Sequence, residues 1–162
     1  TKAGGYPEWI PLCEDVVFDF KIFKLGIKPA YVREALVFWR PRTTFSAYFK
    51  QLFGYTRSDG HGKLWLRRQF TRYIFYSINI ILLLLTIKVS AWFALIILAG
   101  QFDYGRRFWK RWTVFSKGLP FFKKYIGYFL MPFVVAFGDL GKMCGWPLGV
   151  YERKTGKIKF PG

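Results

Sequence analysis

The alternation of apolar and polar positions divides the chain into three zones. In residues 14–25, Val16, Phe20 and Phe23 recur at helical spacing with Val17 beside them, which predicts a helix, and Gly26 is a suitable stop. Residues 30–39 carry Tyr31, Val32, Leu36, Val37 and Phe38 without a helical stripe, and read as a short strand or extended arm. Phe45, Tyr48, Phe49, Leu52 and Phe53 follow the i, i+3, i+4, i+7, i+8 stripe of an amphipathic helix, which Pro41 can enter and Thr43 or Thr44 can cap. Its aromatic face and basic flanks suit a membrane interface and suit packing on a protein core equally well. Ser58-Asp59-Gly60-His61-Gly62 has the chemistry of a turn, and His61, with glycine on both sides, reads as a turn residue.

Beyond this point the pattern changes. Tyr73 to Ile87 is apolar except at Ser77, Asn79 and Thr86; Lys88 interrupts, and Ala91 to Gly100 is apolar again. One helix of about 20 residues spans a bilayer, so this region is long for a single span. A lysine at its centre would cost about 3 kcal/mol. A turn at Lys88-Val89-Ser90 removes that cost, predicting a hairpin of helices at about 70–87 and 90–108. A third apolar stretch at about 121–138, containing Gly127, Pro132 and Gly138, fits a broken transmembrane helix and an interfacial helix equally well. Trp146 and Tyr151 suit a headgroup layer. Arg153, Lys154, Lys157 and Lys159 form a basic tail.

Charge supports this division. The 162 residues carry 26 Lys and Arg against 9 Asp and Glu, a net charge of +17, yet 52% are hydrophobic. A nucleic-acid-binding domain would share the basicity but not the apolar runs at 73–100, so no nucleic-acid partner is expected. Apolarity joined to positive charge fits a protein partly in lipid, with anionic headgroups as a partner. Arg67, Arg68 and Arg72 precede the hairpin, and Arg106, Arg107, Lys110 and Arg111 follow it. Both clusters therefore lie on one side, the cytoplasmic side by the positive-inside rule. Two cysteines and one histidine are too few for a zinc site of the usual spacing, and the cysteines read as reduced thiols.

The candidate chemistry lies near the start. Gly4-Gly5-Tyr6-Pro7-Glu8, then Glu14-Asp15, then Phe18, Lys21 and Gly26 resemble the family 2 glycosyltransferases of the GT-A fold. In these a Gly-Gly-aromatic loop precedes a Glu-Asp pair at a helix start. The resemblance implies that Asp15 is the general base, Glu14 its partner, and Gly4, Gly5 and Tyr6 the acceptor-side loop. A sugar hydroxyl is a weak nucleophile, so a carboxylate must accept its proton during attack, and direct displacement inverts the anomeric carbon. Without the resemblance, an acidic pair at a helix start is ordinary dipole complementation. Trp39-Arg40-Pro41-Arg42-Thr43-Thr44-Phe45 and Gln51-Leu52-Phe53-Gly54-Tyr55 are similar to the family's link between catalytic domain and membrane. Asp139-Leu140-Gly141-Lys142-Met143 is similar to its terminal segment.

Processive members carry Gln-x-x-Arg-Trp on this link. Here Gln51 matches, but Gly54 and Tyr55 replace the Arg and Trp, which weighs against processive synthesis. Gln51, Tyr55 and Arg57 are the remaining candidate acceptor contacts, Arg57 as a substitute positive charge or as a headgroup contact. The expected organisation is the end of a GT-A α/β domain over 1–40, an amphipathic interfacial segment over 41–72, and a mainly α membrane region over 73–162. The family's Asp-x-Asp motif and uridine-binding region are not in the chain. The opening residues read as the interior of a domain, so the nucleotide-sugar donor and a divalent metal (Mg or Mn) are expected to bind an upstream half. The acceptor is expected to be a lipid-linked or membrane-associated glycan. The competing expectation is a non-catalytic basic module that anchors to lipid or a partner.

Overall fold

The computed structural model describes residues 3–157. Helix makes up 71% of these, in five segments, and no strand occurs among them. In order they are α1 (Glu14–Lys24), α2 (Phe45–Gly62), α3 (Leu66–Lys88), α4 (Trp92–Phe115) and α5 (Phe121–Lys154). The chain divides into two compact units, one of 1–66 with 141–162 and one of 67–140. Lys159 of the expected basic tail lies outside the described residues.

No α/β remnant is shown over 1–40: among the described residues the only regular element there is α1. Residues 27–44 are irregular and extended, with one turn at Arg33–Glu34. Val37 and Phe38 in this arm are 89% and 96% exposed. A strand needs a neighbour to pair its backbone, and no other strand occurs among the described residues. The arm's β-forming sequence therefore has nothing to pair with.

In the first unit local chemistry sets the helix ends. Glu14 and Asp15 occupy the first turn of α1, and Lys21 and Lys24 the last, each complementing the dipole. Its C-terminus closes as a Schellman turn. Ile27 N–H bonds Ile22 O at 3.2 Å and Gly26 N–H bonds Phe23 O at 3.0 Å, with Gly26 at φ 73°. Thr44 caps α2 by accepting from Ala47 N–H at 3.2 Å.

Helix α2 does not stop at the expected turn. It runs through Ser58-Asp59-Gly60-His61-Gly62 and ends at Lys63, φ 53°. The glycines serve packing instead. Gly141, Gly145 and Gly149 recur every fourth residue on α5, all buried. They meet Phe49, Phe53 and Arg57 of α2 in the same order. The two helices are therefore parallel and close, as in small-xxx-small pairs. A Cβ at Gly60 would lie 2.5 Å from Trp146 O, and one at Gly149 would strike Arg57 O. Thus Phe49 and Phe53 of the aromatic stripe pack on protein, while Phe45 stays exposed. Tertiary contact overrides the turn propensity here.

In the second unit α3 and α4 are longer than the expected 70–87 and 90–108, and the chain reverses at Val89–Ala91 between them. Two helices, α3 and α5, are long and apolar enough to cross a membrane. The apolar run of α4 gives way to Gln101, Asp103, Arg106 and Arg107, so the second arm of the expected hairpin lacks that length. Helix α5 is unbroken for 34 residues, passing through Gly127, Pro132 and Gly138, so of the two readings of this stretch the broken helix does not form.

The three helices converge on Asp139, which is 2% exposed. Its Oδ1 accepts from Arg72 Nε at 3.0 Å. Its Oδ2 accepts from Tyr104 Oη at 2.6 Å and Tyr76 Oη at 3.2 Å. Arg72 Nη1 also donates to Gln69 Oε1 at 2.5 Å. Arg72, expected in the basic cluster before the hairpin, is thus a buried partner of an acid. The same inversion holds throughout the described residues. Ile10 is the one buried hydrophobic residue, whereas Thr56, Ser58, His61, Gln69, Arg72, Ser116, Asp139 and Glu152 are buried. Ile74, Ile78, Ile81, Leu84 and Ile87 of α3 face outward. Apolar exposure on this scale marks an interaction surface, and polar groups inside apolar helices are the arrangement of bilayer proteins.

Two outcomes follow from this packing. Gly149→Ala forces α2 and α5 apart and lowers stability by about 1–3 kcal/mol, read as a lower thermal midpoint in detergent by circular dichroism; an unchanged midpoint contradicts the close pair. Asp139→Asn strands the Arg72 guanidinium without a counter-charge and costs about 3–5 kcal/mol, measured by denaturant titration of helicity. A loss of only about 0–1 kcal/mol, the scale of an exposed ion pair, would show that the cluster is not shielded.

Candidate functional site

Glu14 and Asp15 begin α1, and both are exposed. Asp15 Oδ1 accepts from Val16 N–H at 2.8 Å, which fixes one carboxylate oxygen against the helix start. The preceding loop folds back on the same helix: Tyr6 stacks on Phe18 with ring centroids 4.4 Å apart. Gly4 and Gly5 have φ of 69° and 74°, a left-handed conformation that suits glycine. Pro7 and Ile10, which follow the loop, are buried. The Gly-Gly-Tyr loop and the acidic pair thus belong to one local assembly around α1.

Helix α2 joins this assembly through Cys13. Cys13, at φ 62°, precedes α1, and its Sγ lies 3.8 Å from Tyr55 O. Leu12 packs at Gly54, where a Cβ would come within 2.9 Å of its side chain. Gln51 Nε2 donates to Tyr55 Oη at 2.9 Å, so these two predicted residues form one pair on a single helix face. Burial pushes the Cys13 thiol up to about 12, and Asp59, Asp15 and Glu14 add to the shift in that order. Its electrostatic coupling to acids of both helices is the mark of their proximity.

Arg57 is placed elsewhere. Its Nε and Nη2 donate to Glu152 Oε2 and Oε1 at 2.7 and 2.6 Å, a bidentate pair with α5. The hydrogen bond to Glu152 raises the Arg57 pKa further above its ordinary value. The guanidinium expected to replace a missing acceptor contact therefore ties α2 to α5. His61 is not a turn residue: it is helical, 1% exposed, and its Nε2 is 2.9 Å from Glu152 Oε2. Arg153 of the expected basic tail donates to His61 O at 2.5 Å. Glu152 is absent from the sequence-based expectations and Asp139 enters them only within the 139–143 segment, yet these two acids organise the buried polar groups. The four-residue glycine spacing of 141, 145 and 149 was a signal that this face of α5 is covered.

Among the described residues no group of three or more His, Cys, Asp or Glu side chains is arranged to hold a metal ion. Both cysteines are unbridged. Comparison with known protein families, curated proteins and solved structures finds no match to the chain.

The surroundings of Cys13 have a direct chemical readout. Only the thiolate is alkylated, so with a pKa near 12 Cys13 labels slowly at pH 8. Its rate with iodoacetamide rises about tenfold per pH unit through pH 10, followed by peptide mass spectrometry. A plateau near pH 9 would show an ordinary, solvated thiol.

Proposed function

We propose that the chain is the membrane-associated C-terminal part of an inverting, nucleotide-sugar-dependent glycosyltransferase acting on a lipid-linked or membrane-associated glycan. Asp15 acts as the general base and Glu14 as its partner. The observation that carries this reading is the association of the Gly4-Gly5-Tyr6 loop with the exposed Asp15 on α1, through the Tyr6–Phe18 stack. A base needs an exposed carboxylate held at a fixed place, and an acceptor needs a surface beside it. In the reaction Asp15 takes the proton of the acceptor hydroxyl as its oxygen attacks the anomeric carbon. The bond to the nucleotide diphosphate breaks on the opposite face. Tyr6 and the Gln51–Tyr55 pair orient the acceptor. The donor and its divalent metal would be held by an upstream half of the complete enzyme. The protein resides in the membrane with this assembly on the cytoplasmic side, a reading supported by the apolar α3 and α5 and by the positive charge.

A non-catalytic membrane module is the second reading. It is favoured by the apolar exterior of α3 and the net charge of +17, neither of which requires chemistry at Asp15.

The two readings separate in the complete enzyme. Asp15→Asn reduces glycosyl transfer by about 10²–10⁴-fold while leaving affinity for the nucleotide-sugar donor nearly unchanged. Transfer is assayed with UDP- and GDP-sugars on membrane extracts, and donor affinity by calorimetry. Full transfer by Asp15→Asn removes the base assignment.

A further inference from the structure

We infer that the outer face of the second half of α4 is a binding surface for anionic phospholipid, lying at the membrane surface while the α3–α4 hairpin enters the hydrocarbon. This rests on the membrane reading above and deepens it by assigning the surface and the depth of each helix.

The register within the second unit carries the argument. At Tyr104 all three helices meet, through Asp139 of α5 and Tyr76 and Arg72 of α3. From that level α3 runs beside the first half of α4: Phe75 stacks on Tyr104 at 4.2 Å, and Gln101 Nε2 donates to Asn79 Oδ1 at 3.3 Å. Helix α5 runs beside the second half: Thr113 Oγ1 bonds Tyr128 Oη at 2.9 Å, and Trp112 Nε1 donates to Lys124 O at 3.0 Å. The two pairings extend in opposite directions along α4. From Asp139 back to Phe121 is about 27 Å of helix, and from Arg72 to Lys88 about 24 Å, at about 1.5 Å per residue. Together they exceed a hydrocarbon core of about 30 Å, so both arms cannot fill one core along the line of α4.

Length and apolarity alone do not decide which arm enters, because α5 passes that test as well as α3; charge does. The α3–α4 arm, from Tyr73 to Gln101, has Lys88 as its one charged residue, and Lys88 is the last residue of α3, at the tip. There it can extend toward the far headgroups. Its two internal amides, Asn79 and Gln101, bond to each other. The α4–α5 arm carries seven cations, and four of them, Arg106, Arg107, Lys110 and Arg111, are exposed on α4. These lie within one face of α4, and Trp109 and Trp112 turn away from solvent, half-buried. At the centre of a bilayer each such cation costs about 2.5–3.5 kcal/mol, whereas beside acidic headgroups each gains about 1 kcal/mol.

No acid occurs between Tyr104 and Gly138, so the arm has no internal counter-charge for these cations. The nearest is Asp103, 3.8 Å from Arg106 at an exposed pair. Arg107 also lies over the Phe108 ring at 5.7 Å. Exposed Phe121, Phe122, Phe129 and Phe133 on α5 give the arm the mixed aromatic and basic surface of an interfacial helix pair. Apolar area alone would not distinguish neutral from acidic lipid; the four cations do.

The test uses the full chain reconstituted in vesicles of phosphatidylcholine, with or without 30% phosphatidylglycerol (about a third, a common anionic fraction). Lipid contact is read by electron spin resonance with spin-labelled phosphatidylglycerol and phosphatidylcholine. Insertion is read by resistance to alkaline carbonate. The protein is expected to resist carbonate in both vesicles and to select labelled phosphatidylglycerol over phosphatidylcholine severalfold, with selectivity falling as salt rises. The variant R106Q/R107Q/K110Q/R111Q is expected to lose most of that selectivity and keep carbonate resistance. Extraction of the wild type by carbonate overturns the membrane reading and this inference with it. Carbonate resistance without selectivity, or selectivity unchanged in the variant, overturns the lipid surface alone. If the variant loses its helical circular dichroism, the wild-type selectivity and its salt dependence decide.

Discussion

The carboxylate of Asp139 has little access to water, and it needs several donors to remain in the interior. Burying an unpaired charge costs several kcal/mol, so the donors must come from whatever helices are near. They come from three: Arg72 and Tyr76 on α3 and Tyr104 on α4, around Asp139 on α5. Each fixes a depth along its helix, and together they set one register for the second unit. The apolar side chains do not set it, because those of α3 point outward and dispersion contacts are non-directional. The Tyr104–Phe75 stack and the Asn79–Gln101 bond then continue that register toward the turn at Val89–Ala91.

The first unit solves a related problem by closeness. Its parallel pair, α2 on α5, brings backbone near backbone at Gly60, Gly145 and Gly149. Such an approach gains dispersion contacts that side chains of any size would prevent. It also delivers Glu152 to Arg57 and His61, so that the one histidine of the chain is held by an acid of another helix. The Cys13 contact with Tyr55 O ties the start of α1 to this pair. A carboxylate at Asp15 thereby inherits its position from helix packing, not from a sheet.

Local chemistry was legible where neighbours in sequence decide the outcome. Gly26 ends α1, Thr44 begins α2, and Lys88 falls at a helix end, each for a reason contained within a few residues. It was misread where distant residues decide. Ser58-Asp59-Gly60-His61-Gly62 has turn composition, yet the glycine face of α5, some 80–90 residues on, draws it into a helix. Arg72 resembles its neighbours Arg67 and Arg68, and nothing local marks that its partner stands 67 residues away. Arg57 was open to two uses for the same reason, and Glu152 determines a third. The stretch at 30–39 shows the converse: its composition favours a strand, but pairing is a property of two segments and the described residues offer one.

The choice between arginine and lysine follows the same division between interior and surface. The buried or half-buried cations that bridge helices are arginines: Arg57 engages both oxygens of Glu152, and Arg72 divides its guanidinium between Asp139 and Gln69. A planar fork can satisfy two acceptors at once and is less strongly hydrated than an ammonium, so it is the cheaper cation to withdraw from water. On the exposed face of α4, where Lys110 stands among Arg106, Arg107 and Arg111, no acceptor geometry is imposed and either cation serves. Two of the nine acids, Asp139 and Glu152, are spent on the interior. Each stands beside an arginine there, so these pairs cancel and the net charge of +17 stays on the exposed parts of the chain.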